Sequence, residues 1–240
     1  MEHLSELRRR LFVSFLGFLA VSVVAFIFFE PITDFLLRPL CSLPPEKLGE
    51  NGCGLFFTSA MDPISVRLKV TAVAGIMFSA PLWLYQLWAF VVPGLTPKEK
   101  RYAFPFVASS LLLFLTGTTF AYLTLSAALN FLVGFGGENL TPIFTAQEYL
   151  NFVSLVIIVF GVVFELPLLV FFLGLAGVVD VDQLMGARRM VIVGVTLLAA
   201  VVTPSQDPYT MLAMALPLYL FYELAILGLR LVRKRRSGKA

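Results

Sequence analysis

Residues 161–172 read GVVFELPLLVFF, and Glu165 is the only charged side chain among them. Outward from it, residues 149–164 and 166–179 carry no charge at all. A bilayer-spanning helix needs roughly 20 predominantly apolar residues at about 1.5 Å rise each. This interval is long enough, and it does not alternate apolar and polar every second residue as a barrel strand would. An ionised acid at mid-span costs on the order of 2.5–3.5 kcal/mol on insertion scales, so such a residue faces a bundle interior or a wet cavity. Two readings of Glu165 follow. It is a neutral acid satisfying a kink, since Pro167 removes a backbone N–H and frees a carbonyl. Alternatively it is the polar lining of a groove that admits something hydrophilic, and this is the reading the sequence favours.

The rest of the chain follows the same pattern. Of its 240 residues 59% are hydrophobic and 14% charged, with mean hydropathy +0.90. A soluble domain needs far more charge to cover its surface. The expected fold is all-α, a single polytopic transmembrane domain over 1–240 with six helices. They lie at about 11–35, 64–92, 101–127, 148–174, 188–203 and 208–227. Residues 11–29 are uncharged and outrun a secretory h-region of about 7–15 residues, so they read as an uncleaved first span. The last two helices should be short. Charge-free residues 208–222 cover roughly 22 Å against a hydrocarbon core of about 30 Å. Either the bilayer thins there, protein shields the ends, or flanking polar residues snorkel. Capping chemistry supports these starts. Asp62-Pro63, Thr96-Pro97 and Asp207-Pro208 each place an oxygen before a proline, and Thr145–Glu148 and Thr96–Glu99 read as capping boxes.

Lysine and arginine give the sidedness. With six spans both termini share one side, which holds Arg8, Arg9, Arg10, Lys98, Lys100, Arg101, Arg188, Arg189 and six more in the tail from Arg230. The other side holds Arg38, Lys47, Arg67 and Lys69. The positive-inside rule then places both ends in the cytoplasm of a multi-pass inner-membrane protein. The basic tail reads as an anchor near anionic lipid rather than a nucleic-acid site. Cys41 and Cys53 fall in the outer loop. In an oxidising compartment they pair as a disulfide; the alternative is two free or buried thiols. His3 is the only histidine, which excludes a histidine-rich metal site, and no metal or other cofactor is expected.

Two more acids lie on the cytoplasmic side. Glu6 sits in amphipathic turns, one turn before Arg10, and Glu99 closes the Thr96 capping box. Each has a bland explanation, an i,i+4 pair or a cap. Together they make an acidic site suited to guanidinium groups, which pair bidentately with carboxylates.

Four segments resemble the TatC family, the large membrane subunits of the twin-arginine protein translocase. They are HLSELRRRL at 3–11, SAPLWLYQLWAFVVPGLTPKEKR at 79–101, FGVVFELP at 160–167 and TPSQDPYTMLAMALPLYLFYE at 203–223. The resemblance covers nearly the whole chain, and the second segment is the most specific. Lys100 departs from it, standing where the family commonly has arginine.

The resemblance implies a receptor for twin-arginine signal peptides and core subunit of a translocase that exports folded proteins with the proton motive force. It also implies a concave groove, TatA- and TatB-like single-span partners and an oligomeric complex. It puts peptide contacts at Glu6, Glu99, Arg8, Phe90 and Leu95, and the intramembrane acid of the concave face at Glu165. Further functional positions are Pro39 and, with the alignment ambiguous by one residue, Asp207. No enzyme is implied, and no G-x-x-x-x-G-K-[ST] nucleotide loop is present. A proton-coupled secondary transporter of a small solute is the main rival, but such folds show matched halves and none is apparent. An intramembrane protease would need two membrane aspartates, a serine with a base, or H-E-x-x-H, and the chain has none.

Overall fold

The structure, a computed structural model, describes residues 2–48, 52–91, 103–134, 143–202 and 208–237. Among these it is helical apart from turns and one isolated bridge. The helices are α1 (Glu2–Ile27), α2 (Phe29–Cys41), α3 (Asp62–Phe78), α4 (Ala80–Val91), α5 (Ala103–Gly134), α6 (Ala146–Val163), α7 (Leu166–Leu175), α8 (Val181–Gly186), α9 (Arg188–Val202) and α10 (Pro208–Ser237). Among the described residues four stretches are long and apolar enough to cross a membrane: 4–27, 104–134, 146–175 and 214–233. The pair α3 and α4 makes a fifth if its 53° bend is counted within one span.

The helix bounds differ from the sequence reading in instructive places. The first helix starts at Glu2 and breaks at Phe28, and α2 then runs as a separate amphipathic helix to Cys41. The second span is two helices, broken at Ser79. The fourth is broken between Val163 and Leu166, so Glu165 stands at the N-cap of α7. Each restart carries a proline in its first turn: Pro31, Pro63, Pro81 and Pro167. Proline is tolerated there because its missing N–H has no intrahelical partner. The fifth helix has 15 residues. The last is a 30-residue helix, because it continues past its apolar part into the basic tail.

Asp62 does not cap its own helix. Its Oδ2 accepts from the Thr58 and Ser59 amides at 2.9 and 2.8 Å and from the Thr58 hydroxyl at 3.0 Å, pinning the preceding loop. Thr145 does cap α6, accepting from the Glu148 amide at 3.3 Å. A full capping box, Asp180 with Gln183, opens α8.

The main core gathers α2, α3, α5, α6, α9 and α10 around Leu40, Val70, Leu125, Val153, Phe164 and Met214. A second cluster, around Trp88, Phe106, Tyr222 and Ile226, joins α4, α5, α7 and α10. The most extensive helix contact is α5 on α6. A Cβ at Gly117 would lie 2.7 Å from the Phe160 carbonyl oxygen, and one at Gly161 would lie 2.7 Å from the Phe114 ring.

At the end opposite the arginine-rich turns, Pro39 is buried inside α2. Its missing N–H orphans the Phe35 carbonyl, and the Tyr122 hydroxyl of α5 donates to that oxygen at 2.8 Å. Tyr149 of α6 donates to the Leu36 carbonyl at 2.7 Å, and Ser42 and Ser126 reach the Pro39 carbonyl at 2.8 and 3.2 Å. Cys41, the last residue of α2, is bonded to Cys53, with Cα atoms 5.0 Å apart. Closing this loop stabilises the fold by about 3 kcal/mol in the chain-entropy model. Thiol alkylation before reduction should therefore label neither cysteine, and after reduction and unfolding should label both. Labelling without reductant would show that the pair is open.

Candidate functional site

Two acidic centres stand out, one at the arginine-rich end and one inside the bundle. At the first, Glu6 and Arg10 lie one turn apart on α1. Arg10 Nε and Nη2 both donate to Glu6 Oε1, at 3.1 and 2.6 Å. Its third nitrogen, Nη1, donates to Gln86 Oε1 of α4 at 3.2 Å. Arg10 thus ties Glu6 to the α1–α4 seam. The side chains of Arg10 and Glu6 are 23% and 39% exposed, so this is a solvent-screened pair worth tenths of a kcal/mol. Glu6 also borders an open hollow of about 660 Å³ with Ser5, Arg8, Arg9 and Phe12. Phe90 is half-buried on α4, one turn beyond Gln86. Leu95, Glu99 and Asp207 lie outside the described residues.

At the second centre, Glu165 turns toward α5. The Ser110 hydroxyl, fully buried, donates to Glu165 Oε2 at 2.7 Å. Glu165 Oε1 is buried and has no hydrogen-bond partner among the described residues. A buried acceptor left unmet is costly in a low-dielectric interior, so this oxygen remains available to a donor. The acid therefore faces protein rather than acyl chains. An apolar hollow of about 420 Å³ opens nearby between α7, α9 and α10, with Pro167, Met190, Leu198 and Tyr222 on its walls.

The Glu6–Arg10 pair was expected from its i,i+4 spacing, but Gln86 behind Arg10 and Ser110 beside Glu165 were missed. Gln86 is the lone amide in APLWLYQLWAFV, and Ser110 is buried in an otherwise apolar stretch of α5. The available signal was an isolated amide for Gln86 and the Ser109-Ser110 pair for Ser110. A third cluster was missed altogether. Arg188 pairs with Glu223 at 2.6 Å, and Tyr219 donates to the same carboxylate at 2.8 Å. Arg233 bridges Asp180 and Asp182 at 3.0 and 3.5 Å, clamping α8 to the end of α10.

The family model for Sec-independent protein translocase protein (TatC) matches residues 2–217. The chain belongs to the TatC family. It is 47% identical to a TatC of Frankia casuarinae over 94% of this chain and 64% of that protein. It is 36% identical to TatC of Aquifex aeolicus, over 98% of this chain and 97% of that one. The chain thus spans less than two thirds of the Frankia relative, and likewise 63% of a Corynebacterium kroppenstedtii TatC at 34% identity. Among solved structures it matches the crystal structure of the twin arginine translocase receptor TatC in DDM. That match has a TM-score of 0.77 and 36% identity, over 94% of this chain and 98% of the other. As in its family, this is a multi-pass helical membrane protein.

Proposed function

We propose that this chain is the twin-arginine signal-peptide receptor and core subunit of a translocase that carries folded proteins across the cytoplasmic membrane. The observation that carries this is the Glu6 carboxylate, held at an open, arginine-rich end of the bundle in a protein of TatC fold. Charge distribution supports six spans with both termini in the cytoplasm, so Glu6 faces the side from which cargo arrives. Glu99, Arg8, Phe90 and Leu95 complete the peptide contact. An apolar signal helix then lies along a concave groove toward Glu165, the polar point within the membrane. Pro39 and Asp207 act at the outer end. Transport draws on the proton motive force and on TatA- and TatB-like partners in an oligomeric complex.

The test is site-directed crosslinking from positions 6 and 99 to a signal peptide. Adducts should form with the arginine pair intact and fall by at least about tenfold when both arginines become lysine, a difference of about 1.4 kcal/mol. Equal adduct yields from both peptides would reject the arginine-reading site.

A further inference from the structure

We propose that the Cys41–Cys53 bond is a thiol–disulfide exchange site, that a dithiol–disulfide oxidoreductase enters it at the Cys41 sulfur, and that opening it releases the loop between α2 and α3 from the start of α6. Proteins of that class work in the oxidising compartment where the charge distribution places this loop.

The two sulfurs are not equivalent. Cys41 ends α2 and is exposed, whereas Cys53 is half-buried and packs against the main core. Attack on a disulfide needs access to one of its sulfurs, and here that sulfur is on Cys41. Arg38 is exposed one turn earlier on the same helix, and a guanidinium favours an approaching thiolate. The incoming thiolate bonds to the Cys41 sulfur, and Cys53 leaves as thiolate. The partner's second thiolate then attacks its own sulfur of the mixed disulfide, and Cys41 leaves as thiolate. The two freed thiolates take up the two protons that the partner's thiols gave up, and two electrons pass from partner to loop. The reverse sequence closes the bond.

The consequence follows from how the loop is attached. The end of α2 keeps its place without the bond, since Tyr122, Tyr149 and Ser126 donate to its carbonyls. Beyond Cys53 the ties are weaker. Phe56, whose side chain is exposed, donates its amide to the Phe144 carbonyl at 3.0 Å and accepts from the Ala146 amide at 2.8 Å, an isolated bridge. Two such bonds contribute little net stability at an exposed residue, and only the partly buried Leu55 packs beside them. Asp62 holds Thr58 and Ser59 to the start of α3, not to α6. The Cys53 tether therefore keeps the bridge shut, linking the helix that holds Pro39 to the span that ends beside Glu165.

The test uses the full chain in lipid nanodiscs, which leave both faces open, and a soluble Cys-x-x-Cys dithiol protein whose second cysteine is replaced by serine. That protein stops at the mixed disulfide, and peptide mapping after alkylation of free thiols locates it. Adduct on Cys41 should exceed adduct on Cys53 by at least about tenfold, because access decides which sulfur is attacked. The unaltered dithiol protein should then leave both cysteines as free thiols. In that form hydrogen exchange at the Phe56 and Ala146 amides should quicken by at least about tenfold, while the Ile226 amide in α10 keeps its rate. Equal adduct, or an excess on Cys53, would overturn Cys41 as the point of entry. No adduct from a folded chain that forms one when unfolded in denaturant would overturn the exchange site itself. If opening leaves the Phe56 and Ala146 rates unchanged, the loop is not released; if it speeds Ile226 equally, the bond is a staple of the whole fold. Either result rejects the proposal. None of these readouts involves a signal peptide, so their failure is distinct from failure of the receptor site.

Discussion

Glu165→Leu should fold, bind the twin-arginine peptide within about twofold of the parent, and lose at least about tenfold in export, on the scale of 1.4 kcal/mol per tenfold. The fold should survive because leucine inserts more readily than an acid at mid-helix. The Ser110 hydroxyl, deprived of its acceptor, can turn back onto a carbonyl of its own helix, as serine does elsewhere. Binding should survive because the peptide contacts lie at the other acidic centre. What is lost is the one carboxylate within an otherwise apolar stretch, together with its unmet oxygen. Glu165→Gln keeps an acceptor for Ser110 and should export at a rate between leucine and the parent. Reconstituted vesicles loaded with purified chain and partners supply the rate, and peptide titration supplies the affinity. A leucine variant that exports at the parental rate would refute a transport role for Glu165. One that also loses peptide binding would mean that the substitution damaged the fold.

The sequence made the class of fold legible because a bilayer imposes a simple demand: long uncharged runs that satisfy their own backbone. Residues 149–179 meet it with a single exception, and that exception marked Glu165. Breaks within runs were harder to see. Ser79 lies between segments apolar on both sides, so hydropathy does not fall there, and Phe28 stops its helix two residues before the first charge, Glu30. The signal there was proline, at Pro31 and Pro81, one or two positions into the next helix. The last helix was read as ending with its apolar part. The helix persists beyond because Arg233 finds Asp180 and Asp182 on α8, a contact between residues about fifty positions apart. For the sites, the acids were legible as isolated charges, and Arg10 as a helical neighbour of Glu6. Gln86 and Ser110 were not, since their meaning comes from the helix that packs opposite them. Glu99, Leu95 and Asp207 fall outside the described residues, so the geometry bears on them only through their neighbours.

Packing between α5 and α6 sets the second centre, and a single methyl group should disturb it. Gly117→Ala should cost about 1–3 kcal/mol, the usual range for forcing extra volume into a well-packed core. The reason is the identity of what it meets. The new Cβ would sit 2.7 Å from the backbone oxygen of Phe160 and 2.8 Å from the Phe164 ring, and a carbonyl cannot swing aside as a side-chain tip can. Relief requires α5 to move off α6, in the manner of small-residue helix contacts in membranes. Ser110 lies two turns before Gly117 on α5, and Glu165 follows directly on the end of α6, so the same displacement should lengthen the 2.7 Å bond between them. Gly161→Ala meets the Phe114 ring and the Thr118 methyl group; these are side chains, and its cost should be smaller. Gly194→Ala in α9 meets nothing within 4 Å and should be neutral or stabilising by up to about 1 kcal/mol, through helix propensity. Thermal unfolding of the three variants in one detergent ranks them directly. If Gly117→Ala melts with the parent while Gly194→Ala does not, the α5–α6 contact is not what holds Ser110 against Glu165.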